Sequence, residues 1–235
     1  MFTGIVEEVG SVRRMPPRGQ AGKIVIACRA VLEGTRIGDS IATNGVCLTV
    51  TAMGADEFSA DVMPQTLSAS NLGELVPGSL VDLERAMPAN GRFGGHVVSG
   101  HIDGVGTIVQ RRAEENAVRV RIRTEPRITA LVVPQGSIAI DGISLTVASV
   151  QGNEFEVSVI PHTGAQTVLL RKRPGDTVNL ENDMLGKYVQ KLLGGAAGGM
   201  PAADAPATPL ASAQADGSSG RPSGLTMEFL ARNGF

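Results

Sequence analysis

The sequence predicts an all-β chain that contains two similar copies of one small fold, followed by a single C-terminal helix. The first observation is an internal repeat, because whole segments of the first half recur in the second half at a constant spacing. The second is the pattern within each copy, where short β-branched and aliphatic runs alternate with Gly, Asn, Asp and Pro. The third is a change to helical spacing after Glu181. With 235 residues, 42% of them hydrophobic, the chain can bury sizeable cores.

The repeat is clearest in the middle of each copy. Ser40–Val50 aligns without a gap with Ser137–Val147, 97 residues further along the chain. The same offset pairs Phe58 with Phe155 and continues as far as Met184. The beginnings of the copies align at an offset of 96, so the extra residue belongs in a loop between the two aligned regions. So many matches at nearly constant spacing indicate a tandem duplication.

The duplication predicts the domain boundaries. The aligned regions give a first domain at residues 1–96 and a second domain at residues 97–187. The connection between the copies is expected near Pro88–Gly91, because proline, asparagine and glycine close together favour turns. The chain therefore contains two domains of similar fold.

Each copy has the pattern of a small barrel or a small sandwich. Strand candidates include Lys23–Ala27, Val46–Val50 and Ala117–Ile122, and Asn44-Gly45 and Asp141-Gly142 are strong signals for tight turns. A closed barrel is slightly favoured because closure removes exposed sheet edges. A sandwich fits the same pattern nearly as well, so the residues alone leave both architectures open.

A helix is predicted after the repeat, at residues 184–194. Its apolar residues recur near helical spacing, Asp183 can cap the first turn, and Gly194 can end the helix. A lone helix of this kind needs a surface to pack on, and another subunit is the natural candidate. Residues 195–235 are rich in Gly, Ala, Pro and Ser, which predicts a flexible tail because such a segment cannot bury enough apolar surface to order itself.

Composition and charge exclude several classes of protein. The net charge of −2 argues against binding of nucleic acid or a membrane surface through a basic patch. Aromatic residues make up 3% of the chain, too few for a platform that stacks bases. Two cysteines and three histidines, spread along the chain, predict no metal site. No apolar run is long enough for a membrane span and no signal peptide is recognisable, so we expect a cytoplasmic location.

Several long motifs resemble those of one known family. Met1–Val6, Asn44–Val50 and Gly94–Gly104 carry the resemblance in the first copy and at the start of the second. Gly136–Thr146 and Ile160–Thr163 carry it through the rest of the second copy. Together they resemble the riboflavin synthase family, and the likeness leaves out only the tail. The motifs are long and stand in the family's order, so the signal is specific.

The resemblance implies two Greek-key β-barrels per chain, each binding one molecule of 6,7-dimethyl-8-ribityllumazine, and homotrimers formed through the C-terminal helix. It implies an enzyme that transfers a four-carbon unit from one lumazine, the donor, to a second lumazine, the acceptor. The products are riboflavin and 5-amino-6-ribitylaminouracil, in the last step of riboflavin biosynthesis, and no cofactor is needed. In the family, the reacting pair lies between the N-terminal barrel of one subunit and the C-terminal barrel of its neighbour. The alternative is a lumazine- or flavin-binding antenna protein without catalysis.

By this resemblance, six residues are candidates for catalytic roles: Phe2, Cys47, His101, Asp141, Ser144 and Thr146. Cys47 holds in the first copy the position of Ser144 in the second, and this difference is a candidate for assigning the donor and acceptor roles. Proton transfer and hydrogen bonds to the reacting ring are the chemistry expected of such side chains. His96 is a further candidate, equally compatible with a structural role.

The resemblance also predicts the residues that line the two substrate pockets. In the first copy they are Cys47, Leu48, Thr49, Asp61, Val62, Met63, Pro64, Gln65 and Thr66. In the second copy they are Gln135, Ser144, Leu145, Thr146, Ser158, Val159, Ile160, Pro161, His162 and Thr163. The opposite walls are Gly4, Ile5 and Val6, and Gly100, His101 and Ile102. Backbone groups and threonine hydroxyls suit the dense row of donors and acceptors on a pteridine-like ring.

Each catalytic candidate also has a purely structural interpretation. His101 can cap a turn, Cys47 can be a small buried hydrophobic residue, and Ser144 can satisfy a backbone group. Two residues depart from the family pattern, since Gln65 stands where many members carry a glutamate and Gln135 stands where a lysine is common. These departures leave the catalytic candidates unchanged, so the enzyme remains the favoured interpretation.

Overall fold

The computed structural model describes residues 1–197, and the predicted tail therefore lies outside the described residues from position 198 onward. The first copy forms a closed antiparallel barrel. Its strands are β1 (Glu8–Arg14), β2 (Gly22–Ala27), β3 (Ser40–Thr43), β4 (Val46–Met53), β5 (Glu57–Val62) and β6 (Leu80–Arg85). They follow one another around the barrel in the order β1-β2-β5-β4-β3-β6.

The second copy forms a second closed barrel with the same topology. Its strands are β7 (Gly104–Glu114), β8 (Ala117–Arg123), β9 (Ser137–Ile140), β10 (Ile143–Gln151), β11 (Glu154–Val159) and β12 (Thr177–Asn182). They run around the barrel in the order β7-β8-β11-β10-β9-β12, which matches the first barrel strand for strand. The prediction of two tandem β-barrels is confirmed, and the sandwich that the residue pattern left open is excluded.

Short helices connect the strands, and a longer helix follows the last strand. They are α1 (Pro64–Ala69), α2 (Pro126–Thr129), α3 (Pro161–Gln166) and α4 (Met184–Ala197). Asp183 caps the first turn of α4, because its Oδ1 accepts a hydrogen bond of 2.9 Å from the N–H of Leu185. The helix continues past Gly194, since glycine lowers helix propensity without blocking the backbone hydrogen bond. None of the helices within residues 1–197 has the length and apolar character needed to cross a membrane.

Each barrel has its own hydrophobic core, built from inward-facing residues on alternating strand positions. The fully buried Phe58 lies opposite Ile26 on the neighbouring strand, and Phe155 lies opposite Ile122 in the second barrel. The two isoleucines are 96 residues apart and the two phenylalanines 97. The extra residue of the second copy therefore lies between its second and third strands.

The two barrels meet back to back at the tight turns that the sequence predicts. Gly45 and Gly142 have left-handed φ values of +79° and +85°. A Cβ atom on Gly45 would lie 2.7 Å from the backbone N of Gly142, and a Cβ on Gly142 would lie 2.8 Å from the N of Gly45. Both positions therefore require glycine for backbone conformation and for the close approach of the turns.

A network of buried polar side chains surrounds these turns and connects the barrels. Its members are Asn44, Asn71, Asp82, Asp141 and Asn179, all at most 2% exposed. Asn71 Nδ2 donates to Asp141 Oδ1 at 2.9 Å, and Asn179 Nδ2 donates to the backbone O of Asn44 at 2.8 Å. These hydrogen bonds cross from one barrel to the other, so the network holds the two barrels in one orientation.

The two carboxylates of the network are satisfied unequally. Asp141 Oδ2 lies 2.5 Å from Lys172 Nζ, which balances its charge. Asp82 accepts a hydrogen bond from the N–H of Val168 at 2.9 Å, but its Oδ2 has no partner among the described residues. Burial, together with the nearby Asp141, raises the pKa of Asp82 well above its ordinary value. Asp82 therefore weakens the seam between the barrels when it is ionised.

The substitution Asp82→Asn is expected to stabilise the chain, by about 1–3 kcal/mol at pH 7. A raised pKa in the folded state contributes stability below the unfolded pKa, and this contribution is lost as pH rises through the folded pKa. The stabilising effect should therefore grow from about pH 4 toward neutral pH. Denaturant unfolding at several pH values measures it, with Asp61→Asn at an exposed position of β5 as the control. A difference between variant and parent that does not change with pH would contradict the prediction.

Candidate functional site

The sheet of each barrel opens at one end between two neighbouring strands. β4 pairs with β5 only as far as Val50 and Ala60, although β4 continues to Val46 and stays paired with β3. In the second barrel, β10 and β11 separate in the same way beyond Val147 and Val157. Each barrel therefore has an open gap at an equivalent place.

Two short segments, which we name the arms, reach these gaps from the other copy. The first arm begins at Gly4, the second begins at Gly100, and each is three residues long. The N–H of Ser144 on β10 donates to the carbonyl O of Gly4 at 2.8 Å. The N–H of Cys47 on β4 donates to the carbonyl O of Gly100 at 2.9 Å. Each arm therefore leads into the barrel of its own copy but covers the gap of the other barrel.

The last residue of each arm packs into the barrel that the arm covers. Val6 of the first arm packs against the core of the second barrel. Ile102 of the second arm packs against the core of the first barrel. The crossing is therefore anchored by apolar contacts as well as by backbone hydrogen bonds.

These elements define two candidate pockets. The first pocket comprises Cys47–Thr49, the segment Asp61–Thr66 and the second arm. The second pocket comprises Ser144–Thr146, the segment Ser158–Thr163 and the first arm. Gln135 lies exposed in the loop before β9. The crossed contacts join Cys47 to Gly100 in the first pocket and Ser144 to Gly4 in the second.

The strands that border the gaps present backbone and hydroxyl groups rather than apolar side chains. Leu48 and Leu145 point into the barrel cores and are 4% and 8% exposed, whereas Thr49 and Thr146 are exposed. The N–H of Val50 donates toward β3. Because backbone groups alternate between the two sides of a strand, the N–H of Thr49 points into the gap. The side of β4 that faces the gap can therefore form hydrogen bonds with a ring.

The other pocket-lining residues divide by exposure. Those exposed to solvent are Asp61, Met63, Pro64, Gln65, Ser158, Ile160, Pro161 and His162. Thr66 and Thr163 are partly buried, whereas Val62 and Val159 are core residues. Ile5, Met63 and Ile160 are 48%, 63% and 54% exposed, a large exposure for apolar side chains. Such exposed apolar rims favour contact with the face of an aromatic ligand or with another protein surface.

The second pocket contains a serine–histidine pair. The Oγ of Ser144 lies 2.7 Å from Nδ1 of His96, and Nε2 of His96 has no partner among the described residues. Burial lowers the pKa of His96 below the ordinary histidine value, so the ring is neutral at pH 7. Gly95 makes the approach possible, because a Cβ there would lie 2.2 Å from the backbone O of Thr3. The pair can pass a proton between hydroxyl and ring.

The contact between His96 and Ser144 is a feature that the sequence alone does not predict. His96 stands inside a motif that carries the family resemblance, which was the available signal. It lies outside the segments that align at the beginnings of the two copies, which start at Thr3-Gly4 and Ser99-Gly100. Repeat matching therefore could not single it out.

The first pocket has a different pair of polar groups, Cys47 and His101. Cys47 is half-buried and its thiol is free, whereas the His101 ring is exposed. Nδ1 of His101 lies 3.1 Å from the Oγ of Ser99, and that hydroxyl donates to Oε1 of Glu181 at 2.6 Å. A hydroxyl has one proton to donate, so Ser99 must accept from the Nδ1–H of His101. The other ring nitrogen, Nε2, is then free to accept a proton.

Two catalytic candidates do not reach the gaps. Phe2 is fully buried between the barrels, because its backbone pairs with Val98 and its ring fills the apolar cluster at the seam. It influences the first pocket by packing, since a Cβ on Gly100 would lie 2.9 Å from its ring. Asp141 is fully buried in the polar network and is paired with Lys172. Neither side chain is exposed to a gap in the single chain.

A prominent cleft lies beside the first barrel rather than in either gap. It measures about 730 Å³ and lies between the loop that precedes β3 and the connection between the copies. Its lining includes Ile5 of the first arm, so the cleft adjoins the second pocket. Three of its charged side chains are engaged, because Arg85 pairs with Glu7 and Glu84 accepts hydrogen bonds from Thr3. The two gaps remain the candidate functional site, because they have available polar groups at matched positions in both barrels.

Comparisons with known proteins agree with the duplicated architecture. A family model described as "Lumazine binding domain" matches residues 3–86 and matches again at residues 99–183. Riboflavin synthase from Actinobacillus pleuropneumoniae is 50% identical over 193 residues, covering 82% of this chain and 90% of that protein. Riboflavin synthase from Bacillus subtilis (strain 168) is 47% identical with the same coverage. Riboflavin synthase from Photobacterium phosphoreum is 36% identical across 100% of this chain and 99% of that protein.

Solved structures with the same fold contain ligands of one chemical type. The crystal structure of LumP complexed with riboflavin superposes with a TM-score of 0.72 at 25% identity, covering 77% of this chain and 99% of that chain. The structure of LumP complexed with 6,7-dimethyl-8-(1'-D-ribityl) lumazine superposes with a TM-score of 0.70 at 24% identity and the same coverage. These superpositions show that 77% of this chain shares its fold with structures that hold a ribityllumazine or riboflavin.

Proposed function

This chain belongs to the riboflavin synthase family, whose members have two lumazine-binding domains, and from that premise we propose how its two pockets carry out the reaction. The chain is an enzyme of riboflavin biosynthesis that dismutates 6,7-dimethyl-8-ribityllumazine. The observation that carries the mechanism is the presence of two matched pockets, each walled by an arm of the other copy. A reaction between two identical molecules needs two similar sites.

The chemistry requires orientation more than a strong catalyst. A four-carbon unit leaves one lumazine and enters the other, which gives riboflavin and 5-amino-6-ribitylaminouracil without gain or loss of atoms. One of the two lumazines loses a proton from its acidic 7-methyl group, and its own ring system accepts the resulting charge. Holding two rings in the correct geometry supplies up to about 7–11 kcal/mol of the barrier reduction. Positioned acid–base groups supply the remainder.

We propose that each lumazine ring binds with its polar edge against the strand that borders the gap, β4 in the first barrel and β10 in the second. The backbone and hydroxyl of Thr49 in the first pocket, and those of Thr146 in the second, lie where donors and acceptors on such an edge are met. The exposed side chains of Met63 and Ile160 cover ring faces, because burial of these apolar groups stabilises the complex. The exposed polar residues of the α1 and α3 segments then lie toward the ribityl hydroxyls.

The pockets differ in the groups that move protons. His101 offers a free Nε2 in the first pocket, where Cys47 stands on the gap strand. Ser144 and His96 form a proton-transfer pair in the second pocket. This inequality supports distinct donor and acceptor roles for the two bound molecules, and exchanging Cys47 and Ser144 should alter turnover more than binding.

We propose that the reacting pair lies between the first barrel of one subunit and the second barrel of its neighbour in a homotrimer. Helix α4 supports an oligomer, because five apolar side chains on it are 55–73% exposed in the single chain. They are Leu185, Tyr188, Val189, Leu192 and Leu193. Burial of such a surface against other copies is the usual outcome. A cytoplasmic location is also proposed, and the two free cysteines support it.

The enzyme is tested by incubating the purified chain with 6,7-dimethyl-8-ribityllumazine alone. We expect one riboflavin to form for every two lumazines consumed, as followed by absorbance and chromatography. Tight binding of lumazine without consumption would overturn the mechanism and support the antenna alternative. Sedimentation of the same sample measures the oligomeric state, and a fully active monomer would contradict the proposed position of the site.

A further inference from the structure

We propose that Glu84 and Glu181 are positioning residues, each of which holds the arm that walls the pocket of the other barrel. The assignment deepens the proposed function, because it concerns the same two pockets. The contacts themselves do not depend on what the pockets bind. The geometry thus predicts a crossed relation in which a carboxylate inside one barrel controls the binding site of the other.

Glu84, on the last strand of the first barrel, holds the start of the first arm. Its Oε1 accepts hydrogen bonds from the N–H of Thr3 at 2.7 Å and from the hydroxyl of Thr3 at 2.9 Å. Its Oε2 accepts from the N–H of Gly4 at 3.0 Å. The side chain is 6% exposed, and burial raises its pKa above the ordinary value. One buried carboxylate is therefore used entirely to bind the arm.

Glu181, on the last strand of the second barrel, repeats this arrangement on the second arm. Its Oε1 accepts from the N–H of Ser99 at 2.7 Å and from the hydroxyl of Ser99 at 2.6 Å. Its Oε2 accepts from the N–H of Gly100 at 2.9 Å. The residue is 1% exposed. The agreement of all three contacts between copies indicates a feature of the architecture rather than an incidental bond.

The arms then cross to the other barrel. Gly4 donates its N–H to Glu84, and its carbonyl accepts from the N–H of Ser144 on β10 of the second barrel. Gly100 donates its N–H to Glu181, and its carbonyl accepts from the N–H of Cys47 on β4 of the first barrel. The contact is close, since a Cβ on Gly4 would lie 2.6 Å from Cβ of Ser144. Movement at either carboxylate is therefore transmitted across one residue to the other barrel's pocket.

An apolar core residue would not provide this connection. A carboxylate with three donors fixes the direction of two successive N–H groups, whereas an aliphatic side chain would only fill the space. Glu181 also acts through Ser99 on the tautomer of His101, and the equivalent of His101 in the first arm is Ile5. Glu84 therefore positions only the first arm, whereas Glu181 positions the second arm and also the ring of His101.

The test uses the full chain with two matched substitutions, Glu84→Gln and Glu181→Gln. Glutamine keeps the shape but places an N–H₂ donor where a carboxylate oxygen accepted, so one arm contact is lost. We expect the amide of Ser144 to exchange hydrogen about tenfold faster or more in Glu84→Gln, and the amide of Cys47 to exchange faster by a similar factor in Glu181→Gln. Each variant serves as the control of the other.

Uncrossed or uniform changes would overturn the inference. If either variant accelerates hydrogen exchange at both amides equally, the glutamate contributes only to global stability. If a variant accelerates exchange only at the amide in the barrel that contains the substituted glutamate, the crossed relation is contradicted. Where a glutamine variant fails to fold, the milder pair Thr3→Val and Ser99→Ala removes one donor from each carboxylate and is expected to give the same crossed pattern. Riboflavin binding is titrated in parallel. Crossed exchange without any flavin or lumazine binding would refute the proposed function while supporting the positioning roles.

Discussion

Replacing Ser144 with alanine is expected to lower kcat for riboflavin formation about a hundredfold, which is within the usual contribution of a positioned acid–base group. The Oγ of Ser144 lies 2.7 Å from Nδ1 of His96, so its removal ends proton transfer between the Ser144 hydroxyl and the His96 imidazole. The backbone N–H that binds the first arm remains, and the pocket wall is preserved. Affinity for riboflavin should therefore change much less than turnover.

Steady-state kinetics with 6,7-dimethyl-8-ribityllumazine measure this effect, and a riboflavin titration separates turnover from binding. Ser59→Ala, on the outer surface of β5, is the matched control because the side chain lies outside both pockets. The low pKa of His96 means that the parent's activity should fall only when pH drops below the ordinary histidine range. Unchanged kcat in Ser144→Ala would remove this residue from the mechanism.

Replacing Lys172 with methionine is expected to lower the free energy of unfolding by about 3–5 kcal/mol, the usual cost of leaving one member of a buried ion pair alone. Asp141 is fully buried and would be left beside Asp82 without a cation. Lys172 also donates to the carbonyl O of Thr177 at 2.7 Å, so a second contact at the seam is lost. The seam between the barrels should open first.

Denaturant unfolding measures this loss, and Arg171→Met at the exposed neighbouring position is the control. Adding Asp141→Asn to Lys172→Met removes the uncompensated charge, so the double variant should recover much of the lost stability. The comparison isolates the charge from the packing of the methionine. A double variant no more stable than Lys172→Met would show that the ion pair is not the cause.

Much of the fold could be predicted because its causes are local or repeated. Asn44-Gly45 and Asp141-Gly142 specify left-handed turns by their own conformational preferences, and both turns are observed. Phe58 and Phe155 are matched by the repeat and occupy equivalent core positions. Barrel closure could not be separated from a sandwich, because strand alternation is the same in both and only the pairing of distant strands distinguishes them.

The candidate site was predictable in part. The segments that line the pockets follow from the family resemblance, but burial of Phe2 and Asp141 between the barrels does not. Each residue's motif indicates importance without indicating which surface the side chain faces. The contact between His96 and Ser144 could not be predicted either, because 48 residues separate them along the chain. Such contacts depend on how the two copies dock.

By itself the sequence determined the duplication, the all-β character, the C-terminal helix and the family, because these are written in spacing, periodicity and motif order. Only the tertiary structure decided that the arms cross, that Glu84 and Glu181 hold them, and that buried polar groups join the barrels. The physical reason is that these features arise from contacts between residues about 80 to 140 positions apart. The energies of such contacts depend on burial and on the packing of both barrels, which no local pattern encodes.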